Sequence, residues 1–172
     1  MWVKYLIIAL LLFIAALLQA SFFPYFAVAG AIPNLVFAIF FILIFFESKD
    51  GAAESLFTAV AAGFFLDMFL PSFIGLGIGI FLIMYVVDKL AMNFFNRTGE
   101  DNLVFYFIGT FCASFVVYSA LVYGASLLFG FEFLVGAPTL VSLAYSLVFA
   151  IPGFYLAKAL FYKDISNQLK LL

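Results

Sequence analysis

One acidic side chain in this sequence sits inside an apolar run: Asp67, in Gly63-Phe64-Phe65-Leu66-Asp67-Met68-Phe69-Leu70. In hydrocarbon such a group costs on the order of 2.5–3.5 kcal/mol at the middle of a helix, and less towards its end. It therefore needs a polar partner, water or a proton. No basic residue lies near it in the sequence. Its expected partners are the N–H groups left unpaired where the next helix begins, beyond Pro71. In that role Asp67 caps a turn and fixes a helical hairpin. Holding a partner protein, or a ligand or ion, are the alternative roles.

Other reactive groups are scarce. The chain has no His, which removes the commonest general base and metal ligand. Its one cysteine, Cys112, can build neither an internal disulfide nor a thiolate cluster. No glycine-rich phosphate loop or nucleophile motif occurs. The remaining carboxylates are expected at loops or helix ends, solvated by water. Neither catalysis nor a cofactor is expected. A net charge of −2 with dispersed basic residues does not suit nucleic acid.

The elements that would position Asp67 follow from composition. Of 172 residues, 69% are apolar and 9% charged, with a mean hydropathy of +1.31. Soluble domains are about half apolar and a quarter charged, and a chain of this length could not hide so much apolar surface from water. The fold class expected is all-α, a single transmembrane domain over residues 1–172. A crossing takes about 20 helical residues. Six segments qualify: Tyr5 to Phe23, Ala27 to Phe46, Ala52 to Leu70, Phe73 to Val87, Leu103 to Phe129, and Pro138 to Leu160. The second is expected to be irregular around Pro33. A kink is expected at Pro152-Gly153 in the sixth.

Charge placement tests this segmentation. With the N-terminus inside, six spans put Lys4, Lys49, Lys89, Arg97, Lys158, Lys163 and Lys170, all seven basic residues, at cytoplasmic ends. The turns at 24–33, 71–72 and 130–137 carry no basic residue, as the positive-inside rule demands. Both termini are thus expected in the cytoplasm. Leu18-Gln19-Ala20-Ser21 only faintly resembles a signal cleavage site, and the first span is expected to be retained.

Small residues supply the packing pattern. Ser55, Ala59, Gly63 and Asp67 recur every four residues along one face of the third span. The fourth offers Gly75, Gly77 and Gly79, with Gly75 and Gly79 four apart, as are Ala16 and Ala20 on the first, beside Gln19. Such faces admit close helix approach in lipid. Internal packing is the first expectation, and an interface with another subunit, including a second copy, is the alternative. Hydroxyls follow a similar rule. Tyr106, Thr110, Ser114 and Tyr118 share a face of span five, and Ser142, Tyr145 and Ser146 lie together on span six. They suit modest interhelical hydrogen bonds of about 0.6 kcal/mol, or a cavity lining.

The order of these motifs carries a resemblance. Leu17-Leu18-Gln19-Ala20-Ser21-Phe22-Phe23-Pro24 closes the first span and Pro33-Asn34-Leu35 opens the second. A polar turn with Gly51 follows, then Ala62-Gly63-Phe64-Phe65-Leu66-Asp67-Met68-Phe69 before Gly75. In length, span pattern and motifs the chain resembles the rod shape-determining protein MreD family of bacteria. Asn34 stands where that family commonly has Asp, which preserves the capping chemistry. The specific motifs cover about the first half of the chain. The resemblance implies a non-catalytic scaffold of the cell-elongation machinery in the bacterial plasma membrane. Its partners would be MreC, MreB, a RodA-type glycosyltransferase, a class B penicillin-binding transpeptidase and membrane lipid. It also implies a bundle similar to the S components of energy-coupling factor vitamin transporters. Such an S component is the alternative function, with Ala16 and Ala20 as its docking face. A short, weakly polar set of external turns, with Glu132 their only charge, fits a vitamin site poorly. An intramembrane lipid-modifying enzyme is a third reading and lacks an acid–base pair.

Overall fold

The structure, a computed structural model, describes residues 2–47, 51–69, 74–95, 103–131 and 136–169, with side chains at all of these except 93–95 and 161–169. The expected turn at Pro71-Ser72, residues 48–50, the polar segment from 96 to 102, Glu132 and Lys170 lie outside the described residues. Those residues form an all-α molecule: α1 (Trp2–Ser21), α2 (Leu35–Phe45), α3 (Ala52–Phe69), α4 (Leu76–Phe95), α5 (Leu103–Phe129) and α6 (Ala137–Leu169).

α2 is the axis of the bundle. Its 11 residues are almost uniformly apolar, and eight of them are buried. Helices α1, α3, α4, α5 and α6 all touch it. Every other helix therefore needs only one inward face, and its remaining sides can be apolar towards lipid. On α3 that division is sharp. Ser55, Ala59, Gly63 and Asp67 are buried, while Leu56, Phe57, Val60 and Phe64 face outward. Aromatic rings fill the centre: Phe37, Phe41 and Phe45 of α2 meet Phe107, Phe111 and Phe115 of α5 at centroid separations of 5.2–5.6 Å. Phe154 of α6 closes on Phe107 at 4.6 Å. Rings at these distances attract through edge-to-face contact in addition to their dispersion.

Three boundaries differ from those expected. α2 starts at Leu35, not Ala27, because the chain turns back at Ala29 (φ 52°) and Gly30 (φ 77°) and pairs Val28 with Ala31. Only from Asn34 onward is it free to coil. At about 16 Å, α2 covers roughly half a bilayer core, and non-helical backbone at such depth is tolerated only when enclosed by protein. α4 runs to Phe95, beyond the expected Val87, because Asp88 and Lys89 both find partners within the bundle. α6 continues past Leu160 to Leu169 and passes through Pro152 without ending. Among the described residues, four helices are long and apolar enough to cross a membrane: α1, α3, α5, and α6 up to Leu160.

Candidate functional site

Two helix starts are held by side chains from elsewhere in the chain: the enclosed start of α2 and the partly exposed start of α4, whose first N–H groups have no acceptor within their own helix. The start of α4 is held by Asp67, itself 5% exposed. Its Oδ2 accepts from the N–H of Gly75 at 2.8 Å and of Ile78 at 3.4 Å, and its Oδ1 from that of Gly77 at 2.7 Å. Positive N–H dipoles converge on the acid, the arrangement by which a helix N-terminus stabilises an anion. The acid is supplied from the last turn of the preceding helix, so one side chain joins α3 to α4.

Glycines make this reach possible. Gly75 adopts φ +101°, a left-handed conformation that L side chains rarely take. A Cβ on Gly77 would lie 2.6 Å from Asp67 Oδ1 and 2.8 Å from the carbonyl oxygen of Gly63. One on Gly63 would run into the backbone of Gly77 and Ile78. α3 and α4 therefore meet backbone to backbone, through Gly63 and Gly77. Gly79 meets open space. Gly75 joins the contact through its N–H and Gly79 does not, so their four-residue spacing does not define the packing face. Of the three glycines in this span, Gly77 is the one that packs against α3, and its place ten residues after Asp67 is a signal once Asp67 is read as a cap.

The start of α2 is held from three directions. Asn34 accepts the Phe37 N–H on its own Oδ1 at 3.0 Å, a local cap. Gln19 of α1 accepts the Val36 N–H at 3.3 Å. Ser146 of α6 accepts the Asn34 N–H at 2.8 Å, and Ser142 donates to the Ile32 carbonyl at 2.7 Å. Pro33, which has no N–H to satisfy, sits just outside. Ala16 and Ala20 line a cavity of about 150 Å³ beside Gln19, with Val36 and Leu66 opposite. Ala16 is only 3% exposed, so this small face of α1 is turned into the bundle.

A second acid lies within the bundle, and this corrects the expectation that Asp67 is the only intramembrane candidate. Asp88 of α4 is 0% exposed. Its Oδ1 accepts the Ser114 hydroxyl of α5 at 2.5 Å, and its Oδ2 has no hydrogen-bond partner among the described residues. The neighbouring Lys89 turns away, pairing with Glu47 at the end of α2 at 2.6 Å, 5.9 Å above the Tyr85 ring. Lys4 and Glu54 make a matching pair at 2.6 Å between the starts of α1 and α3. Adjacent to Lys89, Asp88 reads as the solvated end of a helix. Only the continuation to Phe95 places it inside.

Chemically, this arrangement fastens helices to one another. The described residues contain no group of three or more His, Cys, Asp or Glu able to hold a metal ion. Compared with known proteins, the chain matches no family model, no curated protein and no solved structure.

Proposed function

We propose that the chain is a non-catalytic, MreD-like membrane subunit of the bacterial cell-elongation machinery, which binds MreC. Through MreC it joins MreB filaments, a RodA-type glycosyltransferase and a class B penicillin-binding transpeptidase. The observation that carries this reading is where the motifs of the resemblance fall. Pro33-Asn34 marks the enclosed start of α2, and Gly63 with Asp67 secures the start of α4. They are fold-defining parts, and a scaffold needs a fixed shape and an outer surface more than a pocket. In this reading the chain crosses the plasma membrane six times with both termini in the cytoplasm. The Lys4–Glu54 and Lys89–Glu47 pairs then lie at the cytoplasmic ends. The S-component alternative would dock through Ala16 and Ala20, of which Ala16 is enclosed by the bundle and Ala20 half-buried.

The test is co-expression with the MreC of the same genome, followed by purification of the full chain in mild detergent. Co-purification in fixed proportion is the expected result. Recovery with an energy-coupling ATPase module in place of MreC, or failure to retain MreC, overturns the proposal.

A further inference from the structure

Asp88 is fully enclosed where α4 meets α5, yet its carboxyl group is only half engaged. Ser114 of α5 meets Oδ1 at 2.5 Å, and Oδ2 has no hydrogen-bond partner among the described residues. Helices α2, α3 and α5 pack on α4, and their charged groups are engaged elsewhere. Glu47, at the end of α2, holds Lys89 of α4, and Glu54 of α3 holds Lys4. Asp67 of α3 holds the start of α4. The titratable groups of α5 are the phenols of Tyr106, Tyr118 and Tyr123 and the thiol of Cys112, none of them a cation. On α4 itself Tyr85 lies under Lys89. Among the described residues, then, no cation pairs with Asp88.

An ionised carboxylate in this setting would be a buried charge facing one hydroxyl, an arrangement that protein interiors avoid. A neutral carboxylic acid fits the same atoms. Its Oδ1 hydroxyl gives a hydrogen to Ser114 Oγ, and the separation suits an O–H···O bond in either direction. Ser114 then turns its own hydrogen to a carbonyl one turn back on α5. Thr110 and Ser126 of the same helix already bond backwards in this way. Oδ2 becomes an ordinary carbonyl oxygen, the kind of buried polar atom that most often goes without a partner. We propose that Asp88 is a proton-binding site that latches α4 to α5. With the proton bound, the seam closes on a neutral hydrogen bond. When the proton leaves to water, the charge that stays behind is hydrated only if the seam opens, so the contact answers to pH. An ionisable group enclosed among membrane helices is the usual mark of such a proton site.

The full chain is purified in mild detergent, and denaturant unfolding is followed upward from about pH 4, where a solvated aspartate ionises. Asp88→Asn keeps the shape of the neutral acid and cannot ionise. A proton held by the folded chain and released on unfolding makes stability fall as pH rises. The unfolding constant of the wild type, divided by that of Asp88→Asn, should therefore rise up to tenfold per pH unit. Asp88→Leu serves as a second non-ionising reference if the Asn variant does not fold. In the folded wild type at about pH 6, above the range of solvated carboxyls, infrared absorption of an un-ionised carboxylic acid should be present. It should be absent from both variants. A ratio that stays flat as pH rises overturns the proposal, and so does the absence of that band from the wild type. A ratio that falls overturns it as well, since it would mean an ionised Asp88 paired with a cation.

Discussion

Asp67 and Asp88 are both acids enclosed by helices, and they differ in what they leave behind when removed. Asp67 satisfies backbone. The N–H groups of Gly75 and Gly77 point in fixed directions, because glycine contacts hold α4 against α3. Asp88 satisfies a side chain. The Ser114 hydroxyl that it accepts can rotate and donate to a carbonyl of its own helix. A buried acid thus has a large structural role when its donors are fixed and a small one when they can turn elsewhere.

That contrast can be broken by substitution, with stability read as thermal or denaturant unfolding in detergent. The largest effect is expected at Gly63→Leu, which drives a side chain into the α4 backbone. Overpacking costs about 1–3 kcal/mol where neighbours can yield, and backbone yields least. No folded chain should be recovered, and a variant of normal stability would show that α3 and α4 do not meet at Gly63. Next is Asp67→Leu, which takes the acceptor from two N–H donors, on exposed Gly75 and half-buried Gly77, at about 1 kcal/mol each. Asp67→Asn keeps one acceptor oxygen and should recover roughly half of that loss. Equal losses in the two Asp67 variants would mean that the charge itself is required. Asp88→Leu should cost less than Asp67→Leu and lie within about 1 kcal/mol of wild type, since replacing a buried polar group by an apolar one strands nothing here. A loss at Asp88 as large as at Asp67 would erase the distinction. Ser114→Ala should be smallest, near the ~0.6 kcal/mol average for interhelical hydrogen bonds in membranes.

The same contrast explains what the sequence could disclose. Asp67 stands out because eight residues around it are otherwise apolar or Gly, so only a specific partner could justify it. Asp88 is hidden by Lys89. An acid–base dipeptide followed by a polar stretch has the pattern of a helix leaving the membrane, and nothing local reveals that Lys89 is claimed by Glu47 and Asp88 by Ser114. The small face on α3 was legible because period-four spacing is a local property. Its counterpart, Gly77, depended on how α4 is rotated, which Asp67 sets across a turn. The irregular stretch before α2 was visible in Pro33. The central place of α2 was not, because a short run of Phe, Ile and Leu suits lipid and protein interior equally.

The start of α2 also constrains the order in which the molecule can be made. The Asn34 N–H finds its acceptor in Ser146, 112 residues later in the chain. A growing polypeptide therefore presents the ribosome-bound translocon with a hydrophobic helix of 11 residues, short of a full crossing. Part of its first turn stays unsatisfied until the last helix emerges. α1 can shelter that turn early through Gln19, but completion waits for the end of synthesis. Any chain truncated before α6 would reach the membrane with its innermost helix unsealed, a natural mark for quality-control proteases.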